Sequence, residues 1–300
     1  MTLALVSGGS GFVGRFIVER LIGEGMSVRI TGRTPPVDKF FSRSVQFVPQ
    51  ALDPESDFSA VFSGVDYFVH AAFDHLPGRY RGGEGGDAEG FRRRNHLGTA
   101  AFFRAAKEAG VRRAVFLSSR AVYGVQEPGA VLTEETVPHP DTLYGEVKLA
   151  AEREILAMAG EGFWPVVLRI TGVYGPAGEG RRHKWADLFD DWRAGWEIAP
   201  RAGTEVHGED VASAVSLTLS TSATVSGEVF NVSDIIVDRR ELLEMVGEIT
   251  GVAKPLPAAA DCSTLNVMSC EKLRALGWQP GGRVKLAEFL RSSLANRGPE

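Results

Sequence analysis

Short apolar runs alternate along the first half of the chain with longer stretches in which apolar positions recur every three or four residues. The short runs fall at 3–7, 28–31, 45–48 and 67–70, and the first longer stretch at 12–23. A run of four or five apolar residues suits a strand buried on both faces, whereas three-to-four spacing suits a helix lying against it. Further along, a helical stretch covers about 88–109, a buried-type strand 114–118, a helix about 143–159 and a strand 166–170. This beat predicts βαβ units, and hence an α/β fold with a doubly wound parallel sheet.

Beyond Gly175-Pro176 the rhythm loosens: tryptophans stand at 185, 192 and 196, a Gly/Pro-rich stretch surrounds Pro200, and a last helix is expected over about 285–295. The expected division is a sheet domain over 1–170, with a returning strand expected near 227–232, and a smaller, mainly substrate-binding α/β subdomain over 171–300. The loop 78–87 carries five glycines with Arg79 and Arg81. It reads as a solvated loop, or as a lid whose arginines, helped by Arg92, Arg93 and Arg94, meet an anionic substrate.

Composition narrows the classes. With 300 residues, 44% of them hydrophobic, the chain can bury a sizeable core. A net charge of -5 offers no broad basic field for a phosphate backbone, so no nucleic-acid partner is expected. The two cysteines, Cys262 and Cys270, lack metal or redox spacing and read as free thiols. No apolar stretch reaches membrane-spanning length and the first residues lack a secretory pattern, so no membrane partner and a cytoplasmic location are expected. Six histidines form no i,i+4 pair, and no metal site is expected.

Candidate chemistry begins at Gly8-Gly9-Ser10-Gly11-Phe12-Val13-Gly14, which follows the first strand and opens the first helix. That context makes the glycines a dinucleotide loop of Rossmann type. Gly8 allows the tight turn, Gly11 the approach of a pyrophosphate, and Gly14 close helix packing; the helix N-terminus supplies N–H groups and positive dipole. After the second strand, where a carboxylate would hold the ribose of NAD, stand Gly32 and Arg33. An arginine there accommodates a 2′-phosphate, so the expected cofactor is NADP in preference to NAD.

Tyr144 and Lys148 are four residues apart, on one face of a predicted helix, and Ser118-Ser119 ends the fifth strand, 25 residues before the tyrosine in the case of Ser119. A Y-x-x-x-K pair alone is weak. In this order, with a G-x-x-G-x-x-G loop upstream, the chain resembles the extended short-chain dehydrogenases/reductases, the NAD-dependent epimerase/dehydratase family. Further matching pieces are Asp66-Tyr-Phe-Val-His-Ala-Ala72, Asn95-His-Leu-Gly-Thr99, Leu168-Arg-Ile-Thr-Gly-Val-Tyr-Gly-Pro176, His207-Gly-Glu-Asp-Val-Ala212 and Leu276-Gly-Trp-Gln-Pro280.

The resemblance implies a catalytic Ser119, Tyr144 and Lys148. Tyr144 would be the general acid or base, its ordinary value near 10 lowered by the Lys148 ammonium and the oxidised nicotinamide, and Ser119 would hold the substrate oxygen. Implied cofactor contacts are Gly8, Ser10, Gly11, Phe12, Val13, Gly14, Gly32, Arg33, Gln50 (in place of the family's adenine-binding Asp), Ala51, His70, Ala71, Ala72, Asn95, Ser118, Tyr144, Lys148, Ile170, Thr171 and Val173. Implied substrate contacts are Phe73, Ser119, Arg120 and Tyr144. A homodimer through the helices beginning near Ala88 and Leu143 is expected by the same resemblance.

Departures from the family pattern bear on the reaction. Arg120-Ala121 replaces the Asp-Glu pair usual in dehydratases, which disfavours dehydration. Gly203-Thr204-Glu205-Val206 precedes His207 where nucleotide-sugar enzymes carry a diphosphate-binding arginine, the nearest here being Arg201. The leading expectation is hydride transfer on a sugar or nucleoside-diphosphate sugar, as an epimerase or reductase. The alternative is an NADP-dependent reductase or dehydrogenase of a non-nucleotide alcohol or ketone. A non-catalytic cofactor sensor on the same fold is a third reading, opposed by the presence of both Tyr144 and Lys148.

Overall fold

The computed structural model describes residues 2–76, 83–178, 180–221 and 223–295. The expected strand–helix alternation appears as β1 (Leu3–Ser7), α1 (Phe12–Gly23), β2 (Ser27–Gly32), β3 (Gln46–Pro49), α2 (Ser59–Phe62) and β4 (Tyr67–His70). There follow α3 (Ala88–Arg92) and α4 (Thr99–Glu108), joined without a break by a π-helical turn over Arg93–Gly98, then β5 (Arg113–Ser119), α5 (Leu143–Ala157) and β6 (Trp164–Ile170). The helical stretch expected over 88–109 is thus one rod with a π-turn inside it. Such turns are often found at functional sites, and this one contains Asn95.

Seven parallel strands form the main sheet, in the order β3-β2-β1-β4-β5-β6-β9, where β9 is Val229–Val232, which returns from the C-terminal half to pair with β6. Strand order reverses between β1 and β4, and at this switch point the two neighbouring loops diverge to leave a crevice at the carboxyl edge. One face of the sheet packs on α1 and on α7 (Gly208–Ser220), through Phe16, Ile17, Leu21, Val211 and Val215. The other packs on α4 and α5, through Phe68, Phe102, Phe103, Phe116 and Ile155. Because both faces are covered, β1, β4, β5 and β6 read as continuous apolar runs.

A second, three-stranded sheet stands over the carboxyl edge. It comprises β7 (Gly172–Tyr174), β8 (Ala202–His207) and β10 (Ile235–Asp238) in the order β10-β8-β7. Around it lie α6 (Ala186–Ala194), α8 (Arg239–Thr250), the short α9 (Glu271–Arg274) and α10 (Gly282–Ala295), the last starting three residues earlier than the periodicity indicates. Trp185 and Trp192 are the centre of this unit's own core, with Phe189, Leu243 and Phe289, whereas Trp196 is exposed. Among the described residues no helix is long and apolar enough to cross a membrane.

Candidate active site

The glycine loop turns between β1 and α1. Gly8 has φ +69°, and a Cβ there would lie 2.7 Å from the Ala72 Cα; at Gly14 a Cβ would lie 2.2 Å from the Gly8 carbonyl oxygen. Helix and loop therefore touch backbone to backbone. The N-cap of α1 is Gly11, which has no side chain to cap the first turn, so those N–H groups remain available to an anion. This cradle fits the pyrophosphate of a dinucleotide, with Ser10, Phe12 and Val13 at its rim. An arginine from the C-terminal half also reaches it: Arg181 donates to the Ser10 carbonyl at 3.3 Å.

At the adenosine end, Gly32 accepts from the Gln50 backbone N–H at 3.0 Å, while the Gln50 side-chain amide is spent on the carbonyl of Ala51. Arg33 is 76% exposed at its side chain and pairs with Asp74 at 3.0 Å. That partner, at the end of the β4 loop, is invisible to local sequence reading, because 41 residues separate the two.

Three of the expected cofactor contacts direct their side chains elsewhere. The His70 ring is fully buried between the Ser7 hydroxyl, at 2.7 Å, and the Thr99 hydroxyl, at 3.1 Å, stacked near Phe116. Burial, with the Lys148 charge behind it, pushes its pKa down to about 3, so it is a neutral core histidine. Asn95 uses its carboxamide to fasten the β4 loop, accepting from the Asp74 N–H at 2.7 Å and donating to the Asp74 carbonyl at 2.8 Å. Ser118 donates its hydroxyl to Glu152 inside the protein. Neighbouring residues on a strand face opposite sides, so Ser118 and Ser119 cannot both serve the crevice with their hydroxyls. Ala71 is held by Ser7 through its N–H at 3.0 Å, and Ile170, Thr171 and Val173 run from the end of β6 into β7, where the Thr171 hydroxyl donates to the Thr204 carbonyl at 2.7 Å.

The chemistry-bearing side chains come from β5, α5 and the β4 loop. Ser119 ends β5, and its hydroxyl accepts from the Ala121 N–H at 3.1 Å, capping a single 3-10 turn. Thr142 caps α5 by accepting from Gly145, and α5 starts so close to that turn that a Cβ on Gly145 would lie 2.5 Å from the Ala121 carbonyl oxygen. Tyr144 is thereby presented beside the Ser119 turn, and its ring meets Phe73 edge to face at 4.9 Å. Lys148, one turn on, is 5% exposed; its ammonium donates to the Leu117 carbonyl at 2.7 Å and lies over the rings of Phe73 at 4.6 Å and Phe116 at 4.7 Å. Burial pushes the lysine down to about 7, opposed by the Glu152 carboxylate. At neutral pH this amine is therefore poised between its two forms and is not the permanent cation that the motif by itself suggests.

Arg120 donates to the Asn266 carbonyl at 2.9 Å, joining the β5 turn to the C-terminal half. The three consecutive arginines read as possible lid residues are held by carboxylates. Arg92 pairs with Glu146 at 2.7 Å, Arg93 with Asp53 and Glu55 at 3.0 Å, and Arg94 with Asp74 at 2.6 Å and Asp87 at 3.1 Å. Arg79 and Arg81 lie outside the described residues.

Two further charged pairs join residues that no local sequence pattern links. Glu152 and Arg169 form a buried ion pair beneath Ser118, whose only sequence signal is the continuation of the Tyr144, Lys148 spacing by another four residues. Glu205 on β8 packs its carboxylate against Gly172 of β7 and pairs with Lys184 at 2.5 Å. Burial raises the Glu205 pKa, countered by Lys184.

Residues 4–233 match the profile of the NAD dependent epimerase/dehydratase family. The chain belongs to that family. Among curated relatives it is 28% identical to a 4-hydroxy-2-methyl-3-oxo-4-farnesyl-3,4-dihydroquinoline-1-oxide ketoreductase of Stigmatella aurantiaca, over 82% of this chain and 73% of that one. Among solved structures it is similar to MoeE5 in complex with UDP-glucuronic acid and NAD, at 28% identity, TM-score 0.77 and 96% coverage of both chains. It is similar also to the UDP-glucose 4-epimerase of Thermotoga maritima with UDP-glucose, at 25% identity, TM-score 0.80, and 97% and 96% coverage. Membership in the epimerase/dehydratase family, together with the fit of the glycine cradle, makes this an enzyme of nicotinamide-dependent oxidoreductase type.

Proposed function

We propose that the protein moves hydride between a nicotinamide dinucleotide and the hydroxyl or keto carbon of a small molecule that carries no nucleoside diphosphate. Tyr144 passes the proton to or from the substrate oxygen, Ser119 holds that oxygen, Lys148 assists the phenol, and Phe73 lines the site. The cofactor, when bound, accepts or supplies the hydride at its nicotinamide ring. Residues 171–300 form mainly the substrate side, and two chains associate through the α3–α4 rod, on which Leu97 is exposed, and α5.

The observation that carries the substrate reading is the Glu205–Lys184 pair. In nucleotide-sugar enzymes an arginine near this part of β8 meets the diphosphate. Here Gly203 brings no charge, and the cation that Lys184 supplies is already paired with the partly buried carboxylate of Glu205. A dianionic diphosphate brought against Glu205 would be repelled, whereas a neutral ketone or alcohol would not. The name of the Stigmatella relative agrees with this reading. The second reading, a nucleotide-sugar epimerase, is favoured by the full-length similarity to sugar-nucleotide-bound structures.

The two are separated by incubating the protein with reduced cofactor and a panel of cyclic and aryl ketones, and in parallel with NAD and UDP-glucose or UDP-glucuronic acid. Net consumption of reduced cofactor with a ketone is the expected result. Epimerised sugar nucleotide without net cofactor turnover would replace the first reading by the second.

For the cofactor, the pair that Arg33 makes with Asp74 is 76% exposed on the arginine side and so open to competition from a 2′-phosphate, which supports NADP, although MoeE5 is in complex with NAD. Titration following nicotinamide fluorescence is expected to give tighter binding of NADPH than NADH. In Arg33→Ala the NADPH affinity is expected to fall about tenfold, the equivalent of one charge-assisted contact, with NADH little changed. Tighter binding of NADH by the wild type would overturn the preference.

A further inference from the structure

Tyr144, Lys148 and Glu152 stand at successive four-residue intervals on α5, so they share one face of the helix. The third of them is the most deeply held. Glu152 is 1% exposed; Arg169 of β6 donates to it through Nε at 3.2 Å and Nη2 at 2.8 Å, and Ser118 of β5 donates its hydroxyl to the same carboxylate. Arg169 is itself fixed, its guanidinium 4.8 Å from the Tyr123 ring centroid, and the Tyr123 hydroxyl donates to Asn231 of β9 at 2.7 Å. One carboxylate thus ties α5 to β5 and β6, and through Arg169 and Tyr123 to β9. On β5 the anchors are consecutive: Ser118 takes Glu152, and the Leu117 carbonyl takes Lys148.

We propose that Glu152 is a positioning residue for the reaction: clamped by Arg169 and Ser118, its carboxylate sets α5 on the sheet and places a negative charge one turn from the buried Lys148 amine, itself one turn from Tyr144. The proposal rests on the reading of Tyr144 and Lys148 as the chemistry-bearing pair.

The charge balance around Lys148 makes the assignment specific. From α5 it has Glu152, which favours the ammonium, and Tyr144. From β4 it has the His70 ring, neutral through burial, whose protonation the lysine opposes. From β5 it has only the Leu117 carbonyl and the Phe116 ring, and from the β4 loop the Phe73 ring, all of which favour a cation. From β6 the positive Arg169 lies behind the carboxylate that pairs with it. Among the described residues, Glu152 is therefore the one anion that opposes the burial of the amine. A surface pair elsewhere on α5 could fix the helix equally well but would not hold this proton.

The test reads Lys148 directly. Protein carrying 13C at the lysine Cε positions is titrated by NMR, the Lys148 signal being identified by its loss in Lys148→Arg. In the wild type the signal is expected to titrate near neutral pH. In Glu152→Gln the midpoint is expected to fall by about one pH unit or more, and in the doubly uncharged Glu152→Leu/Arg169→Met, where the more distant Arg169 cation is lost as well, to fall in the same direction by less. The double variant keeps the measurement available if the single one fails to fold, because replacing both members of a buried ion pair by apolar side chains leaves no uncompensated charge. A Lys148 midpoint that stays at the wild-type value in the folded double variant overturns the proposal and leaves the pair a packing device.

Tyr144→Phe separates this result from the functional reading. Full turnover in that variant would remove the reading, while the response of Lys148 to Glu152 would still decide the coupling.

Discussion

Tyr144→Phe is expected to lower turnover by about 10²–10⁴-fold, the usual worth of a positioned acid–base group, while leaving cofactor affinity nearly unchanged. The substitution removes one oxygen and keeps the ring. Its edge-to-face contact with Phe73 at 4.9 Å survives, and so does the capping of α5 by Thr142. Melting temperature should therefore stay close to that of the wild type. Steady-state rates with the ketone or hydroxy compound identified above, together with nicotinamide titration, check both halves of the expectation. A variant that turns over at the wild-type rate would show that another group handles the proton, and would bring back a reading in which the cofactor is sensed and not used.

The second large effect is expected at Gly14→Ala. In a helix interior, alanine is ordinarily better than glycine by about 1 kcal/mol, so the intrinsic propensity predicts stabilisation. The structure reverses the sign. The added Cβ would lie 2.2 Å from the Gly8 carbonyl oxygen and 2.9 Å from the Gly9 Cα, both of them backbone atoms that cannot swing aside as a side chain would. The start of α1 has to retreat from the loop, at a cost of about 1–3 kcal/mol of the kind seen on overpacking. The same retreat spoils the aim of the first-turn N–H groups, so affinity for either reduced cofactor should fall at least about tenfold. Thermal melts and nicotinamide titrations read the two consequences separately. A more stable variant with unaltered binding would mean that helix and loop are not in contact as described.

Glycine at 14 and tyrosine at 144 illustrate what local sequence can carry. The strand–glycine loop–helix order needs only neighbours in the chain to be recognised, and the i,i+4 spacing of Tyr144 and Lys148 fixes a shared helix face whatever surrounds it. Continuous apolar runs likewise identify β1, β4, β5 and β6 as strands covered on both faces, because a half-exposed strand would alternate.

What sequence alone could not supply are properties that depend on residues far apart in the chain. Arg33 reads as a free cation beside the ribose until folding brings Asp74 to it across 41 residues. His70 and Asn95 sit in family-like segments next to the crevice, yet their side chains are satisfied within the protein, by Ser7 and Thr99 and by the β4 loop. The three arginines after the glycine-rich loop look available until Asp53, Glu55, Asp74, Asp87 and Glu146 are seen to hold them.

By itself, then, the sequence determined the α/β class and the cofactor loop, which are written in short-range periodicity and spacing, while its resemblance to the extended short-chain dehydrogenases/reductases singled out Ser119, Tyr144 and Lys148. Tertiary structure alone decided the downward shift of Lys148, the burial of Glu152 with Arg169, and the pairing of Lys184 with Glu205. The reason is physical: desolvation and pairing are set by which distant segments exclude water from a group, and no local pattern encodes that.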